Sequence, residues 1–191
     1  MKNLFLLVIF LVFYNKAYCD NLNYNFLVAS PQMSDTRFKE SIVLLFHHNK
    51  FGASGLVINK EQKKISTKEL FNSTNILLPE DFVNKQLTIF WGGPINTHHL
   101  FFIHSPEYKN NNSIISNESF VVTRSSDVLY DIVKNKGPKN FIIIRGLSIW
   151  SPHQLDEELS SGSWDKKVNY YLSIFDNDKN MWQILVNSQG A

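Results

Sequence analysis

Cysteine is nearly absent from this sequence, and arginine is rare. Cys19 is the single cysteine among 191 residues, so the chain can form neither an intramolecular disulfide nor a cysteine-based zinc site. Arginine occurs only at positions 37, 124 and 145, whereas lysine is abundant. A chain of this length buries roughly 70% of the surface that its unfolded form exposes. Its core therefore needs neither a disulfide nor a structural metal.

An excess of charge of one sign is also absent from the body of the chain. The formal net charge of +2 comes from Lys2 and Lys16, which lie in the first 19 residues, where there is no acid. From Asp20 onward, 17 Lys and Arg residues balance 17 Asp and Glu residues. Strong binding to nucleic acid depends on a surplus of cations that releases counterions. The neutral body therefore argues against a nucleic-acid partner.

The one long apolar run that precedes this body, residues 4–14, is too short to cross a membrane as a helix. A membrane-spanning helix needs about 20 apolar residues, whereas a run of this length is typical of a secretory signal. Ala17 and Cys19 occupy the two small-residue positions of a cleavage site before Asp20. The alternatives are a lipoprotein signal with a lipidated Cys19, an uncleaved anchor or a misplaced start codon.

We predict a leader at residues 1–19 and a single domain at residues 20–191, because no linker or repeat divides the body. A cleaved leader would export the protein to the periplasm of a bacterium. An uncleaved leader would be its one link to a membrane.

Apolar patterning along the body predicts more strands than helices. Strands are predicted at 41–47 and 140–145, whose central residues 42–46 and 141–144 are all apolar, as in strands covered on both faces. Further strands are predicted at 25–29, 56–58 (after a turn at 52–55), 86–91, 100–104, 120–123 and 170–175. Helices are predicted from Ser66, from Ser125 or Ser126, and from Ser151, with a last short element at 181–186. Because strands and helices do not alternate regularly, the pattern favours an α+β or mixed α/β fold.

No complete catalytic or metal-binding motif is present. Two segments approach the Gly-x-Ser-x-Gly nucleophile elbow, at Ser54 and Ser148, but a bulky residue replaces the last glycine of each. The pairs 47–48 and 98–99 are histidines, and neighbours on a strand point to opposite faces, so each pair offers at most one ligand to a site. We therefore predict no metal and no cofactor.

The arginines are the strongest candidates for ligand binding. Arg37 and Asp35 share a polar loop, Arg124 follows a strand, and Arg145 is predicted to end an apolar strand shortly before a helix. An arginine beside a helix N-terminus suits an anion, although each arginine could instead pair with a local carboxylate. Two tryptophans flank the helix that carries acids 156–158. They could line a cleft or a partner surface, where tryptophan is enriched, or pack in the core. The candidate binding residues are Ser30, Asp35, Arg37, Arg124, Asp127, Arg145, Trp150 and Gln154.

Six stretches, in order along the chain, resemble the AlgH family, also called YqgE, a group of bacterial proteins. They are FLVASPQMSDTRF (26–38), SIVLLFHHNKFGASGLVINK (41–60), WGGPI (91–95), FFIHSP (101–106), TRSSDVL (123–129) and GLSIWSPHQLDEEL (146–159) with Trp164. The resemblance covers roughly residues 25–186. It implies an α+β fold in which a branched mixed β-sheet is curled into a pseudo-barrel with helices packed outside.

The chain also departs from the pattern of that family. Glu61 stands where proline is usual, residues 99–100 replace an Arg-Gly pair, and residues 146–150 replace a Gly-Tyr-x-Gly-Trp-type turn. His-Gln-Leu-Asp at 153–156 replaces Gly-Gln-Leu-Glu. Members of the family usually lack a secretory leader, so their usual location would be cytoplasmic. If the changed turns line a pocket, this protein binds something different, or nothing.

We expect a non-catalytic ligand-binding or regulatory domain whose partner is a small anionic ligand or a protein. The rival hypothesis is an enzyme that uses Asp35, His104 or Asp127 as an acid or base. A third reading, the transcriptional regulator that the family label suggests, would require a concentrated basic face.

Overall fold

The fold combines ten strands and four helices in the residues described by a computed structural model, 25–74, 76–109, 112–168, 174–176 and 178–188. The strands are β1 (Asn25–Ala29), β2 (Ile42–Asn49), β3 (Gly52–Val57), β4 (Glu61–Ser66), β5 (Gln86–Trp91), β6 (Ile95–His104), β7 (Ser113–Ser116), β8 (Val121–Thr123), β9 (Phe141–Trp150) and β10 (Trp164–Val168). The helices are α1 (Thr67–Thr74), α2 (Ser126–Val133), α3 (Gln154–Ser160) and α4 (Met181–Asn187). No helix in these ranges has the length and apolar character needed to cross a membrane.

The ten described strands belong to one branched sheet. Its main path runs β10-β1-β2-β3-β9-β6-β8-β7, while β5 pairs with β9 and carries β4 at its other edge. The β5–β9 pair is parallel and the other pairs are antiparallel. The α+β fold with a branched mixed sheet is thus confirmed. Among the described strands the path stays open, because β10 and β7 at its two ends are not paired with each other.

Strand β9 is the branch point of the sheet. Its residues 143–145 pair with both β5 and β6, so these two strands must flank β9 on opposite edges. Residues 148–150 pair instead with β3. The short connection from β5 to β6 therefore crosses over β9 at Gly92 and Gly93, against the backbone of residues 146–148.

Three apolar clusters lie on the faces of this sheet. Because side chains alternate along a strand, Ile142 and Ile144 of β9 belong to one cluster, which also packs against α4, while Ile143 belongs to a second. Helices α1 and α2 cover the second cluster. The third cluster contains Trp150, Leu155 and Trp164 and packs α3 against β1, β2 and β3.

Several predicted element boundaries were wrong. Strand β9 does not end at Arg145 but continues to Trp150, because residues 148–150 pair with β3, and Gly146 is accommodated within the strand at a positive φ of 78°. The glycines at 52 and 55 lie within β3, not in a turn before it. Strands β4 and β7 were missed because they are short edge strands with mostly exposed residues. Most of the strand predicted at 170–175 lies outside the described residues.

The helix starts agree better with their sequence signals. Ser66 accepts a hydrogen bond from the backbone N–H of Glu69 (3.2 Å), and Ser125 is the N-cap of α2. The start predicted at Ser151 is displaced, since α3 begins at Gln154 with His153 at its N-cap. The Gln154 side-chain oxygen still accepts a hydrogen bond from the Ser151 backbone N–H (2.9 Å), as it would in a capping box.

Candidate functional site

A cavity of about 350 Å³ lies where the loop between β1 and β2 meets the end of β9 and helix α3. Five short segments line it. They are Met33, Ser34, Asp35, Arg37 and Phe38 of the loop, Pro94 and Ile95 before and at the start of β6, residues 148–150 of β9, Gln154 and Glu158 of α3, and Ser163 and Trp164 at the start of β10. The cavity brings together four of the predicted binding residues: Asp35, Arg37, Trp150 and Gln154.

Glu158 organises the wall of the cavity formed by α3. Its Oε2 accepts hydrogen bonds from two indole N–H groups, Trp150 Nε1 at 2.9 Å and Trp164 Nε1 at 2.7 Å. Its Oε1 accepts one from Gln154 Nε2 at 2.8 Å. Both tryptophans are only 4% exposed, so their N–H groups need a protein acceptor. In the described part of the chain, no lysine, arginine or histidine forms an ion pair with Glu158.

Aromatic rings form a continuous wall beside this carboxylate. Trp150 and Trp164 meet edge to face with ring centroids 6.0 Å apart. Phe38 contacts Trp164 at 5.6 Å and Trp91 at 5.3 Å. Contacts of this kind contribute about 0.5–1.5 kcal/mol each beyond the area that they bury. They tie the β1–β2 loop to β5 and β10 and so fix the position of Phe38 in the cavity wall.

Asp35 and Arg37 form a closed pair within the loop. Arg37 Nη2 donates to Asp35 Oδ2 at 2.6 Å, Nε donates to Oδ1 at 3.0 Å, and the Arg37 backbone N–H donates to Oδ1 at 3.0 Å. The guanidinium also lies over the Phe38 ring, with Cζ 5.8 Å from its centroid. Ser30 anchors the base of the loop, since its backbone N–H donates to the Ser163 carbonyl (3.0 Å). The alternative that Arg37 pairs with a local carboxylate is therefore the arrangement observed.

We expect the Asp35 carboxyl to titrate at a lower pH than an ordinary aspartate. Side-chain hydrogen bonds from Arg37 lower its pKa, and the smaller effect of burial opposes them. The pair therefore stabilises the fold at pH values above the pKa of an unfolded aspartate, and that contribution is lost as pH falls through the lower pKa of the folded state. An NMR titration should give a higher Asp35 midpoint in the Arg37→Gln variant than in the wild type. Equal midpoints would contradict the pairing.

The other predicted binding residues lie away from this cavity. Arg124 Nη2 contacts His99 Nδ1 at 3.3 Å and lies over the Phe101 ring. Asp127 is in the first turn of α2, where its carboxylate accepts a hydrogen bond from Ser125 Oγ at 2.9 Å. Neither lines the cavity.

The prediction for Arg145, a position at a strand end beside the helix that follows, was wrong. Arg145 lies inside β9, with five further residues of the strand between it and the chain that leads to α3. Its Nη2 instead donates to Ser73 Oγ in the last turn of α1, at 3.1 Å. The negative end of a helix dipole is a favourable position for a guanidinium.

The candidate groups for acid–base chemistry do not form one site. His104 is fully buried, and its Nδ1 lies 2.9 Å from the Ser105 carbonyl, which makes Nδ1 the protonated nitrogen. Its ring meets that of Tyr108, whose hydroxyl donates to Asp131 at 2.6 Å. Burial, and then this carboxylate, raise the pKa of Tyr108. Asp35 lies in the cavity with its charge held by Arg37, and the cluster around His104 does not line that cavity.

Ser148 is the cavity residue nearest to a nucleophile motif, yet its geometry is not that of an elbow. It lies in β9 rather than in a turn, is 1% exposed, and its hydroxyl donates to the Gly92 carbonyl at 3.2 Å. No histidine is among the described residues that line the cavity. Within the described ranges, no three His, Cys, Asp or Glu side chains converge to hold a metal ion.

A second cavity, of about 460 Å³, lies beside α4. Glu40, Lys60, Glu61 and Lys179 give its lining equal numbers of acids and bases, and Trp182 is its one aromatic residue. Burial lowers the pKa of Lys60, and the charge of Glu40 partly opposes that shift. None of the predicted binding residues lines it, and its mixed charges select no class of ligand.

Sequence reasoning missed Glu158 as a site residue. It appeared only as one of three acids on a predicted helix, and adjacent acids on a helix are usually solvated. The available signal was the four-residue spacing from Gln154, which places both side chains on one face of the helix. The pairing of Glu158 with two tryptophans 14 residues apart in sequence could be seen only in the folded chain.

Comparisons with known proteins agree with this fold. A model of the AlgH-like family matches residues 26–191. UPF0301 protein plu1183 of Photorhabdus laumondii is 36% identical over 147 residues, which cover 75% of this chain and 78% of that protein. UPF0301 protein ECA3925 of Pectobacterium atrosepticum is 34% identical over 161 residues, which cover 81% and 86%.

Two solved structures resemble the chain. The solution structure of the AlgH protein from Pseudomonas aeruginosa superposes with a TM-score of 0.70 at 26% identity and covers 88% of this chain and 89% of that one. Protein DIP2367 from Corynebacterium diphtheriae, with a TM-score of 0.62 at 18% identity over 86% and 85% of the two chains, shares the fold alone. None of these names states a biochemical activity. The family model and the identity of the relatives together establish that this chain belongs to the AlgH-like family of bacterial proteins.

Proposed function

We propose that this protein is a non-catalytic ligand-binding domain and that the cavity between the β1–β2 loop and α3 holds its ligand. The observation that carries the proposal is the Glu158 arrangement, in which two buried indoles and Gln154 hold one carboxylate at the cavity wall. Such an array of fixed polar groups among aromatic walls is typical of ligand sites. A volume of about 350 Å³ suits a small molecule.

The chemistry of the lining supports binding rather than catalysis. Asp35 is neutralised by Arg37, Glu158 accepts three hydrogen bonds, and Ser148 donates one to a backbone carbonyl. These three groups are thus already engaged in holding the walls in place. A nucleophile paired with a base, which acyl transfer requires, is not among the described residues that line the cavity.

A substitution that fills the cavity should abolish binding without unfolding the protein. Ser34 lines the cavity and is exposed, so Ser34→Phe places a ring at its mouth without disturbing the core. The wild type, purified from a bacterial host, should show a native mass greater than its denatured mass by one small molecule. Ser34→Phe should show no such increment.

The matched control is Ser119→Phe, because Ser119 is an exposed serine in the loop before β8 and does not line the cavity. It should keep the added mass. A bare mass for the wild type, or an increment that survives in Ser34→Phe, would refute the cavity as the binding site.

The mass of the denatured protein also shows whether the leader has been cleaved. We propose that residues 1–19 are removed, so that the binding function is exercised outside the cytoplasm. The apolar run at 4–14 and the small residues at 17 and 19 support this. A mass that begins at Asp20 is expected, and a mass that begins at Met1 would contradict it.

A further inference from the structure

The cavity contains an arginine, yet the side chains that line it carry a net negative charge. Arg37 is the one cationic side chain among the described residues that line it, against two carboxylates, Asp35 and Glu158. Arg37 makes a bidentate contact with Asp35, so these two charges cancel at short range. Glu158 then remains as a negative charge that neutral N–H donors stabilise but do not neutralise.

The tryptophans reinforce this negative field. An aromatic ring carries partial positive charge at its edge and partial negative charge on its faces. Trp150 and Trp164 direct the N–H groups of their edges at Glu158, and both rings line the cavity. Phe38 adds a third ring whose face already attracts a cation, the Arg37 guanidinium. Aromatic walls around a negative charge are the arrangement that binds organic ammonium ions.

We infer that the ligand of this cavity is a small organic ammonium ion, an inference that rests on the proposed binding function. Glu158 supplies the counter-charge, and the rings of Phe38, Trp150 and Trp164 contact the alkyl groups around the nitrogen. A carboxylate has about four acceptor positions, of which three are occupied here, so Glu158 can still accept one hydrogen bond from a ligand. The negative charge of Glu158 would repel an anion, and Arg37 is already paired with Asp35 and so does not offer a free cation.

Choline and its neutral carbon isostere 3,3-dimethylbutan-1-ol (dimethylbutanol) have the same shape but differ in charge. Comparing their affinities therefore measures the effect of the positive charge alone. Titrated into the wild-type protein at constant ionic strength and followed by tryptophan fluorescence, choline should bind at least about tenfold more tightly than dimethylbutanol. Acetate and inorganic phosphate serve as anionic probes and should bind more weakly than choline. The titrations need no variant protein, so they remain informative whatever the substitutions do to the fold.

The variant Glu158→Gln removes the charge and retains an oxygen that can accept both indole N–H groups. It should lose the preference for choline over dimethylbutanol. Glu157→Gln removes the same charge from an exposed neighbour on α3 and should keep the preference. Loss of the preference in both variants would indicate a general surface effect and overturn the inference.

Equal affinity for choline and dimethylbutanol, or tighter binding of an anion, would also overturn the ammonium assignment. If acetate or phosphate binds and Ser34→Phe abolishes that binding, the ammonium assignment fails but the proposed binding function stands. If no probe binds and the native mass shows no increment, both proposals fail.

Discussion

Replacing Gly93 by alanine is expected to destabilise the protein by about 4 kcal/mol or more, because the substitution combines backbone strain with a steric clash. Gly93 has a φ of 145°, which residues other than glycine rarely adopt. A Cβ at this position would lie 2.2 Å from the Leu147 carbonyl carbon and 2.4 Å from the Ser148 nitrogen. Both are backbone atoms of the branch strand, so neither can move aside as a flexible side chain could.

Urea unfolding followed by circular dichroism measures this effect, and Gly162→Ala is the matched control. Gly162 also has a positive φ, 73°, but nothing lies within 4 Å of the position that a Cβ would take. Its replacement should cost only the backbone strain, about 1 kcal/mol. If the two variants lose similar stability, the close approach to the backbone of β9 is not what requires glycine at position 93.

Replacing Glu158 by alanine is expected to cost about 2–4 kcal/mol of folding stability, because two donors lose their acceptor at once. The indole N–H groups of Trp150 and Trp164 are buried, and each unsatisfied buried donor costs about 1–3 kcal/mol. Chemical unfolding monitored by tryptophan fluorescence reports the loss directly. The emission of the native state should also change, since both indoles lose a charged neighbour.

Two controls separate the hydrogen bonds from the loss of an acid on α3. Glu158→Gln keeps an oxygen for both indoles but loses the bond from Gln154, so it should cost only about 1 kcal/mol. Glu157→Ala removes an exposed acid one residue away and should stay within about 0.5 kcal/mol of the wild type. A Glu158→Ala variant as stable as Glu157→Ala would show that water replaces the carboxylate at no cost.

Much of the secondary structure could be predicted because it depends on neighbours in the chain. The predicted strands 41–47 and 86–91 are defined by their own apolar residues, and β2 and β5 lie there. The serine caps at 66 and 125 depend on hydrogen bonds across two or three residues. The edge strands β4 and β7 could not be predicted in this way, since pairing with another strand, rather than burial, makes them strands.

The candidate site shows the same division. The Asp35–Arg37 pair spans two residues of one loop, so its members could be recognised together from their spacing. Arg145 was misplaced because a local pattern ended its strand too early, whereas pairing with β3 carries β9 on to Trp150. The ammonium assignment depends on Glu158 having no cationic partner in the described part of the chain, which no spacing rule could reveal.

The sequence by itself determined the α+β class, the neutral body and the loop that holds Asp35 and Arg37, because composition and short-range patterns contain that information. It also determined the family, through six ordered stretches that resemble it. Only the tertiary structure decided that β9 links the two branches of the sheet, that Gly93 must be glycine, and that Trp150 and Trp164 converge on Glu158. The physical reason is that charge compensation and steric exclusion act over a few ångströms in space. The groups that meet in this way can lie far apart along the chain, as Phe38 and Trp164 do.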